Sequence, residues 1–381
     1  MVYMKNIVVV TNFLPHYQID FFNRLVSISN DINLTVFADV SSDSALNNFN
    51  DFKCNFNVID SPVKYFKGLM FRASLRKQIN NIDPDALVFY GNPREVYLTA
   101  LMFFYRMTGR SFYVHGMFHR IGGQTLFSKL YYRFIGLISS KCFTYSRKGA
   151  EVLLGLGVRH SKVEIVGTAI DEKKSMHYAS KITNEKLIDF KKANGVLNKK
   201  VVLQVVRLSK IKKPDMILSV AEEIKKSRSD IIFVLIGGGE MYDEMRSKVK
   251  KLGLESIVLM LGPIYDEEVL SYWFRSAKVF VMPTCIGLSA HHAFSYSLPI
   301  VTDDDLLEQA SEFDILTDGL NSLIYESGNI GSFREKILKI VDDDGLQVFL
   351  SKNALHTVSH TYSLDSKCKK YLNFLGCMSG V

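Results

Sequence analysis

The chain predicts an α/β protein built from two doubly wound parallel sheets. Three observations lead there. Short β-branched runs alternate with stretches of helical spacing, and this alternation occurs twice. A polar, Lys-rich stretch at 172–198 separates the two series and reads as a linker with a helix. The length, 381 residues, suits two domains.

In the first series, residues 5–11 read as a buried parallel strand and 19–26 as a helix. Residues 32–37 and 86–90 read as strands, the latter ending at Gly91. An apolar helix at 97–106 precedes a strand at 111–114 that ends in His115-Gly116. Strands at 141–146 and 162–166 close this half. The second series has a strand at 201–206, a helix at 214–226 and a strand at 231–236 running into Gly237-Gly238-Gly239. A helix at 241–252 and short strands at 258–261, 279–282 and 299–301 follow. The division expected is 1–171, a linker at 172–198, 199–360, and a last helix at 361–381 returning to the first domain.

Composition narrows the class. Hydrophobic residues are 47% and charged residues 23%, ordinary for a folded globular protein. The longest apolar run, 97–105, is far short of a spanning helix. Five scattered cysteines form no CxxC pair, and no secretory signal opens the chain, so reduced thiols and a cytoplasmic location are expected. The net charge of +8 sits mostly in the first half, where 61–148 hold 14 basic and 3 acidic residues. Aromatic and aliphatic side chains lie among these cations, a mixture that suits an anionic membrane surface. No basic heptads, zinc-finger spacing or RNP-like strand supports nucleic acid.

Three stretches of the second half carry chemistry. Arg207 and Lys212 lie five residues apart at a strand-to-helix turn, where a fork and a point charge can meet one diphosphate. Gly237 and Gly238 open a Gly-rich turn ending in Glu240, where backbone N–H groups can approach an anion before a helix. Residues 283–302 give a strand end, a loop with Thr284, Gly287, Leu288 and Ser289, a helix with His292, and Leu298-Pro299 opening the next strand. Neither GxGxxG nor a P-loop is present. His356 and His360 lack a third ligand, and Asp303-Asp304-Asp305 reads as a solvated loop, so no metal site is expected.

In order and spacing these stretches resemble the retaining group 1 glycosyltransferases (family 4), which have the GT-B fold. The matching residues are Arg207 with Lys212, Gly237-Gly238-Gly239-Glu240, Leu261-Gly262, Asp266-Glu267-Glu268, Pro283, Gly287-Leu288, Leu298-Pro299 and Asp318-Gly319-Leu320-Asn321. In the first half, the loop from Asn12 to Phe22, Thr144-Tyr145-Ser146, Gly149-Ala150-Glu151 and the stretch from Val166 to Asp171 look like the same family. One departure stands out. The family usually has two glutamates eight positions apart in the third motif, and here Thr284 and His292 occupy those places. A branch involved in surface polysaccharide synthesis carries His at the second place, with a later pair that Ser311-Glu312-Phe313 matches.

The resemblance implies two Rossmann-like domains facing a cleft, the second holding a nucleotide sugar and the first the acceptor. The implied activity is transfer of a sugar to a glycan or polyprenyl-linked acceptor, with retention and without metal or cofactor. Arg207 and Lys212 would stabilise the leaving diphosphate, and His115 would face the transferred sugar, with His119 as second choice. Gly237, Gly238, Thr284, Gly287, Leu288, Ser289, His292 and Glu312 would line the donor. His16, Arg94 and His119 would meet the acceptor. The missing acidic pair also suits a non-catalytic nucleotide-sugar or glycan-binding relic, and the fold also serves sugar-nucleotide epimerases. Two basic-apolar segments, 64–77 and 126–134, are expected as helices that either set an apolar face into lipid or pack in the core with snorkelling cations.

Overall fold

Runs of Val, Ile, Leu and Phe form the sheets of this computed structural model, which describes residues 4–29, 31–41, 53–72 and 75–377. The chain divides into two units, Met1–Ile170 with Leu364–Val381, and Asp171–Ser363. The first unit holds β1 (Lys5–Phe13), β2 (Ile32–Asp39), β3 (Asn57–Asp60), the pair β4 (Val63–Phe66) and β5 (Leu69–Arg72), then β6 (Ala86–Tyr90), β7 (Tyr113–Gly116), β8 (Lys141–Thr144) and β9 (Val163–Ile165). Seven of these make one sheet in the order β3-β2-β1-β6-β7-β8-β9, parallel throughout. The second unit holds β10 (Lys200–Val205), β11 (Ile231–Ile236), β12 (Val258–Gly262), β13 (Ala277–Val281), β14 (Ile300–Asp303) and β15 (Ser322–Tyr325). They form a parallel sheet in the order β12-β11-β10-β13-β14-β15.

Both faces of each sheet are covered, which is why the strands read as unbroken apolar runs. In β1, Ile7 and Val9 enter a core with the helices His16–Ile28 and Leu364–Phe374, while Val8 and Val10 enter one with Val96–Met107 and Leu126–Ile138. In β11, Phe233 and Leu235 face one core, and Ile232, Val234 and Ile236 the other. Residues alternate faces because the strand period is two.

The strand order reverses at two places, between β1 and β6 and between β10 and β13. In doubly wound sheets the crevice for a ligand opens at the carboxyl ends of the strands flanking such a switch. The loop after β1 leads to His16, and that after β6 carries Arg94. The loop after β10 carries Arg207 and Lys212, and that after β13 carries Pro283 to Leu288. The topology therefore picks out the same loops as the sequence motifs.

Three expectations are corrected. Residues 64–77 are not one helix: β4 and β5 pair as an antiparallel hairpin turning at Lys67 and Gly68, both with positive φ, and a helix starts only at Arg76. Ala73 and Ser74 lie outside the described residues. Gly68 supplies the left-handed turn, and the aromatic residues Tyr65, Phe66 and Phe71 suit a pleated strand. Its Arg72 is not a lipid-facing cation but a fully buried one, paired with Glu95 at 3.3 Å. Residues 172–198 hold two helices, Glu172–Ser180 and Asn184–Ala193, both part of the second unit. Asp303 is buried rather than solvated, and its carboxylate accepts from Gln309 Nε2 at 2.7 Å and Ser327 Oγ at 2.8 Å.

Candidate active site

In the second unit, β10 ends at Val205 and the chain turns through Arg207 to a short 3-10 turn, Lys210–Lys212. Arg207 is exposed and, among the described residues, makes no ion pair. Lys213, with φ 46°, and Pro214 then redirect the chain into the helix Asp215–Lys225. This turn lets Lys212 reach the other side of the switch, where its Nζ donates to the carbonyl of Cys285 at 2.5 Å. A Cβ placed on Gly287 would lie 3.9 Å from the same Nζ, an ordinary contact distance, so this glycine and the ammonium are neighbours.

The loop after β13 is held from beneath. Tyr325 Oη donates to the carbonyl of Pro283 at 2.6 Å. The Ile286 N–H donates to Gln309 Oε1 at 2.9 Å, and Gln309 Nε2 donates in turn to Thr302 Oγ1 and Asp303. Cys285 sits at φ 54°, a strained value for a residue with a side chain, and its thiol pKa is raised by burial. Thr284 is fully buried and forms part of this foundation. The helix Ser289–Ser295 starts right after it, and the N–H groups of Gly287, Leu288 and Ser289 make no backbone hydrogen bond among the described residues. Glu312 is nearly buried in the 3-10 turn Ser311–Ile315.

The Gly-rich turn does a different job from the one expected. The Gly237 N–H is taken by the carbonyl of Gly262 at 2.8 Å. A Cβ on Gly237 would fall 1.8 Å from the carbonyl oxygen of Val206, and one on Gly239 2.3 Å from that of Leu208. These glycines are needed so that the turn can press against the Arg207 loop, which Leu208 N–H anchors by donating to Gly238 O at 2.8 Å. They position the cation loop rather than offer the Gly237 donor to an anion.

His292 presents Nε2 at 3.5 Å from Glu267 Oε1. The same oxygen accepts from Tyr296 Oη at 2.9 Å and Ser175 Oγ at 3.4 Å. The residue in the place of the usual second glutamate thus lies beside a carboxylate borne by the helix Glu267–Ser276.

In the first unit, His115 ends β7, nearly buried between the rings of Tyr90 and Tyr145. Tyr145 Oη lies 3.5 Å from its Nδ1, and its Nε2 is buried with no hydrogen-bond partner among the described residues. Burial pushes its pKa down to about 3, and the Lys367 ammonium adds to the shift. His119 Nδ1 lies 3.1 Å from the carbonyl of Met117, its Nε2 is also buried with no partner among the described residues, and burial lowers its pKa to about 4. Both imidazoles are therefore neutral at pH 7. Buried polar atoms without partners are uncommon and suit a missing ligand.

His16 opens the helix His16–Ile28, and Arg94 follows the β6 loop; both are exposed. Behind them, the Arg72 guanidinium donates to Thr11 O at 2.9 Å, Asn12 Oδ1 at 3.1 Å and Glu95 Oε1 at 3.3 Å. It ties together the ends of β1 and of the β6 loop. Sequence reasoning missed Arg72, Glu95, Gln309 and Glu267 in these roles, because each supports a loop from a distant element and belongs to no local pattern. Among the described residues, no group of three or more His, Cys, Asp or Glu side chains is gathered as for a metal ion.

Residues 185–357 match the family model described as glycosyl transferases group 1. The chain is 25% identical over 174 residues to the poly(ribitol-phosphate) alpha-N-acetylglucosaminyltransferase of Staphylococcus aureus, a stretch covering 46% of this chain and 35% of that protein. It thus spans about a third of that curated relative's length. Similarity to the Campylobacter jejuni N-acetylgalactosamine-N,N'-diacetylbacillosaminyl-diphospho-undecaprenol 4-alpha-N-acetylgalactosaminyltransferase runs to 24% over 304 residues, 76% of each chain. Among solved structures, Anabaena Alr3699/HepE in complex with UDP superposes with a TM-score of 0.76 at 15% identity, covering 98% of this chain and 100% of that one. Residues 185–357 thus resemble a group 1 glycosyltransferase domain, and the chain has the GT-B fold.

Proposed function

We propose that this protein is a glycosyltransferase that moves a sugar from a nucleotide-sugar donor to a glycan or polyprenyl-linked acceptor in bacterial surface polysaccharide synthesis. One observation carries the reading. At the β10/β13 switch point Lys212 reaches the loop of Cys285 and Gly287, with the unpaired Arg207 on the same loop as the lysine. A nucleoside diphosphate leaving from a sugar gains negative charge, and two fixed cations with the N–H groups of Gly287, Leu288 and Ser289 are suited to stabilise it. Relatives whose names specify N-acetylhexosamine transfer to ribitol-phosphate and to diphospho-undecaprenol acceptors support the substrate class.

In this reading the second unit binds the donor, with His292, backed by Glu267, in the place of the usual acidic contact. The first unit binds the acceptor near His16 and Arg94. His115, held neutral by burial, faces the transferred sugar, with His119 as the second choice. Transfer proceeds with retention at the inner face of the cytoplasmic membrane, and the two cations replace a metal. The loss of acidic residues at Thr284 and His292 keeps a non-catalytic nucleotide-sugar-binding relic as the second reading.

A donor panel tests this. UDP-sugars, UDP-N-acetylhexosamines first, should raise the melting temperature, and one of them should turn over with an undecaprenyl-diphosphate-linked acceptor, giving product with retained anomeric configuration. Activity that persists in EDTA is expected. Stabilisation by a donor with neither transfer nor hydrolysis would establish the relic instead, and stabilisation by none would sink both.

A further inference from the structure

The β4–β5 hairpin stands apart from the seven-stranded sheet, yet its second strand is tied to the loops that follow β1 and β6. The Met70 N–H donates to the carbonyl of Arg94 at 2.8 Å, and Met70 forms a parallel bridge to Glu95. Met70 Sδ lies 3.3 Å from Asn92 Nδ2 and 4.0 Å from Asn12 Nδ2. Two residues on, the fully buried Arg72 guanidinium reaches Thr11, Asn12 and Glu95, and also donates to Ser61 Oγ at 3.2 Å. Desolvation offsets most of what a buried ion pair gains, so a pair spent here suits the fixing of geometry rather than stability.

The hairpin register decides which side chains share the packed face. Tyr65 pairs with Met70 and Val63 with Arg72, so these four lie on one face. Val63, Met70 and Arg72 are buried, whereas Tyr65, on the pair nearer the turn, is 60% exposed. Its ring thus projects on the side of the loops after β1 and β6, which lead to the exposed His16 and Arg94. Phe66 and Leu69 pair on the opposite face.

We propose that this hairpin is an arm of the acceptor site, with the Tyr65 ring as the platform for one sugar ring of the acceptor glycan and Arg72 as the residue that positions it. The inference rests on the transferase reading, in which the first unit takes the acceptor, and it names the part of the acceptor that is read. A pyranose has an apolar C–H face and a rim of hydroxyls. The negative face of an aromatic ring suits the C–H bonds, and the polar side chains of the neighbouring loops suit the rim. An alkyl chain would need a continuous apolar surface, and on this face the apolar partners Val63 and Met70 are buried, leaving a single ring open.

Fluorescence and kinetics test it. Trp273 is the one tryptophan of the chain and is buried in the second unit, so Tyr65→Trp adds an exposed reporter on the hairpin. Its emission should shift saturably with an undecaprenyl-diphosphate-linked N-acetylhexosamine in detergent, and not with undecaprenyl diphosphate that lacks the sugar. Tyr65→Ala should raise the acceptor KM by about tenfold while kcat falls less, and Tyr65→Phe should keep most of the affinity. Phe66→Ala, on the other face, should leave the acceptor KM unchanged. Arg72→Lys should raise the acceptor KM less than Arg72→Met does; if Arg72→Met fails to fold by circular dichroism, Tyr65→Ala still decides. An unchanged KM in Tyr65→Ala, no emission shift with the sugar-bearing lipid, or an equal shift with the sugar-free lipid would overturn the proposal. The last result would make the ring a lipid contact. A sugar-dependent shift in a protein that turns over no donor would uphold the platform and strike the transferase reading, so the two fail separately.

Discussion

In the proposed mechanism Lys212 and Arg207 act on the same developing charge from one loop, so each should matter alone. Arg207→Ala and Lys212→Ala should each cut transfer by ~10²-fold or more while donor-induced stabilisation falls less. Wild-type turnover in both variants would remove them from the mechanism. The histidines of the first unit make a prediction about pH. In the folded chain His115 and His119 stay neutral down to about 3 and about 4, whereas an unfolded histidine takes up a proton near its ordinary pKa of 6.5. Between those values the unfolded state binds more protons, so stability falls as pH falls. Each group contributes a slope of up to about 1.4 kcal/mol per pH unit in that window. Urea midpoints from pH 7 to pH 4.5 should decline, and His115→Asn with His119→Asn should flatten the decline. An unchanged slope in the double variant would show that neither imidazole is held neutral.

At the scale of the element, the Gly-rich turn and the cation loop form one object. Gly237→Ala would force a Cβ against the Val206 carbonyl at a φ of 145°, whereas Gly238→Ala would meet only the Pro263 ring at 3.6 Å. The first should destabilise by more than about 1 kcal/mol and the second by less, read from denaturant unfolding. Equal costs would mean that the two loops do not need their close contact. Such contacts explain what could be read beforehand. The long central strands β1, β6, β10 and β11 were legible because burial on both faces writes a continuous apolar run. The edge strand β3, the β4–β5 hairpin and β15 were not, being four residues each and, at β3 and β4, partly polar and exposed. That Lys212 and Gly287 lie on facing loops was legible from the alternation of strands and turns, which puts both at strand ends. Gln309 and Glu267 were not, since what they do is visible only once distant segments are folded beside each other.

At the scale of the whole chain, the first unit is sewn from two ends of the sequence. The helix Leu364–Phe374 lies on the helix His16–Ile28 and on β8: Tyr371 stacks on Phe143 at 4.4 Å and meets Phe21 at 5.4 Å, and Arg24 bonds Asp365 at 2.9 Å. Leu364, Cys368, Tyr371 and Leu372 complete the core on that face. The second unit, by contrast, is one uninterrupted run, 171–363. This arrangement sets an order of events at the ribosome. The second unit has all its residues before the first has its closing helix, although the first is begun earlier. Until residue 374 has left the exit tunnel, the apolar side of β1 and β8 stays uncovered, and at 5–20 residues per second this lasts on the order of ten seconds or more after Ile170 is made. Throughout synthesis of the second unit, the nascent first unit thus exposes apolar surface that its own closing helix later covers. A ribosome stalled near residue 363 would hold a first unit without its closing helix, with the end of the second unit still in the tunnel.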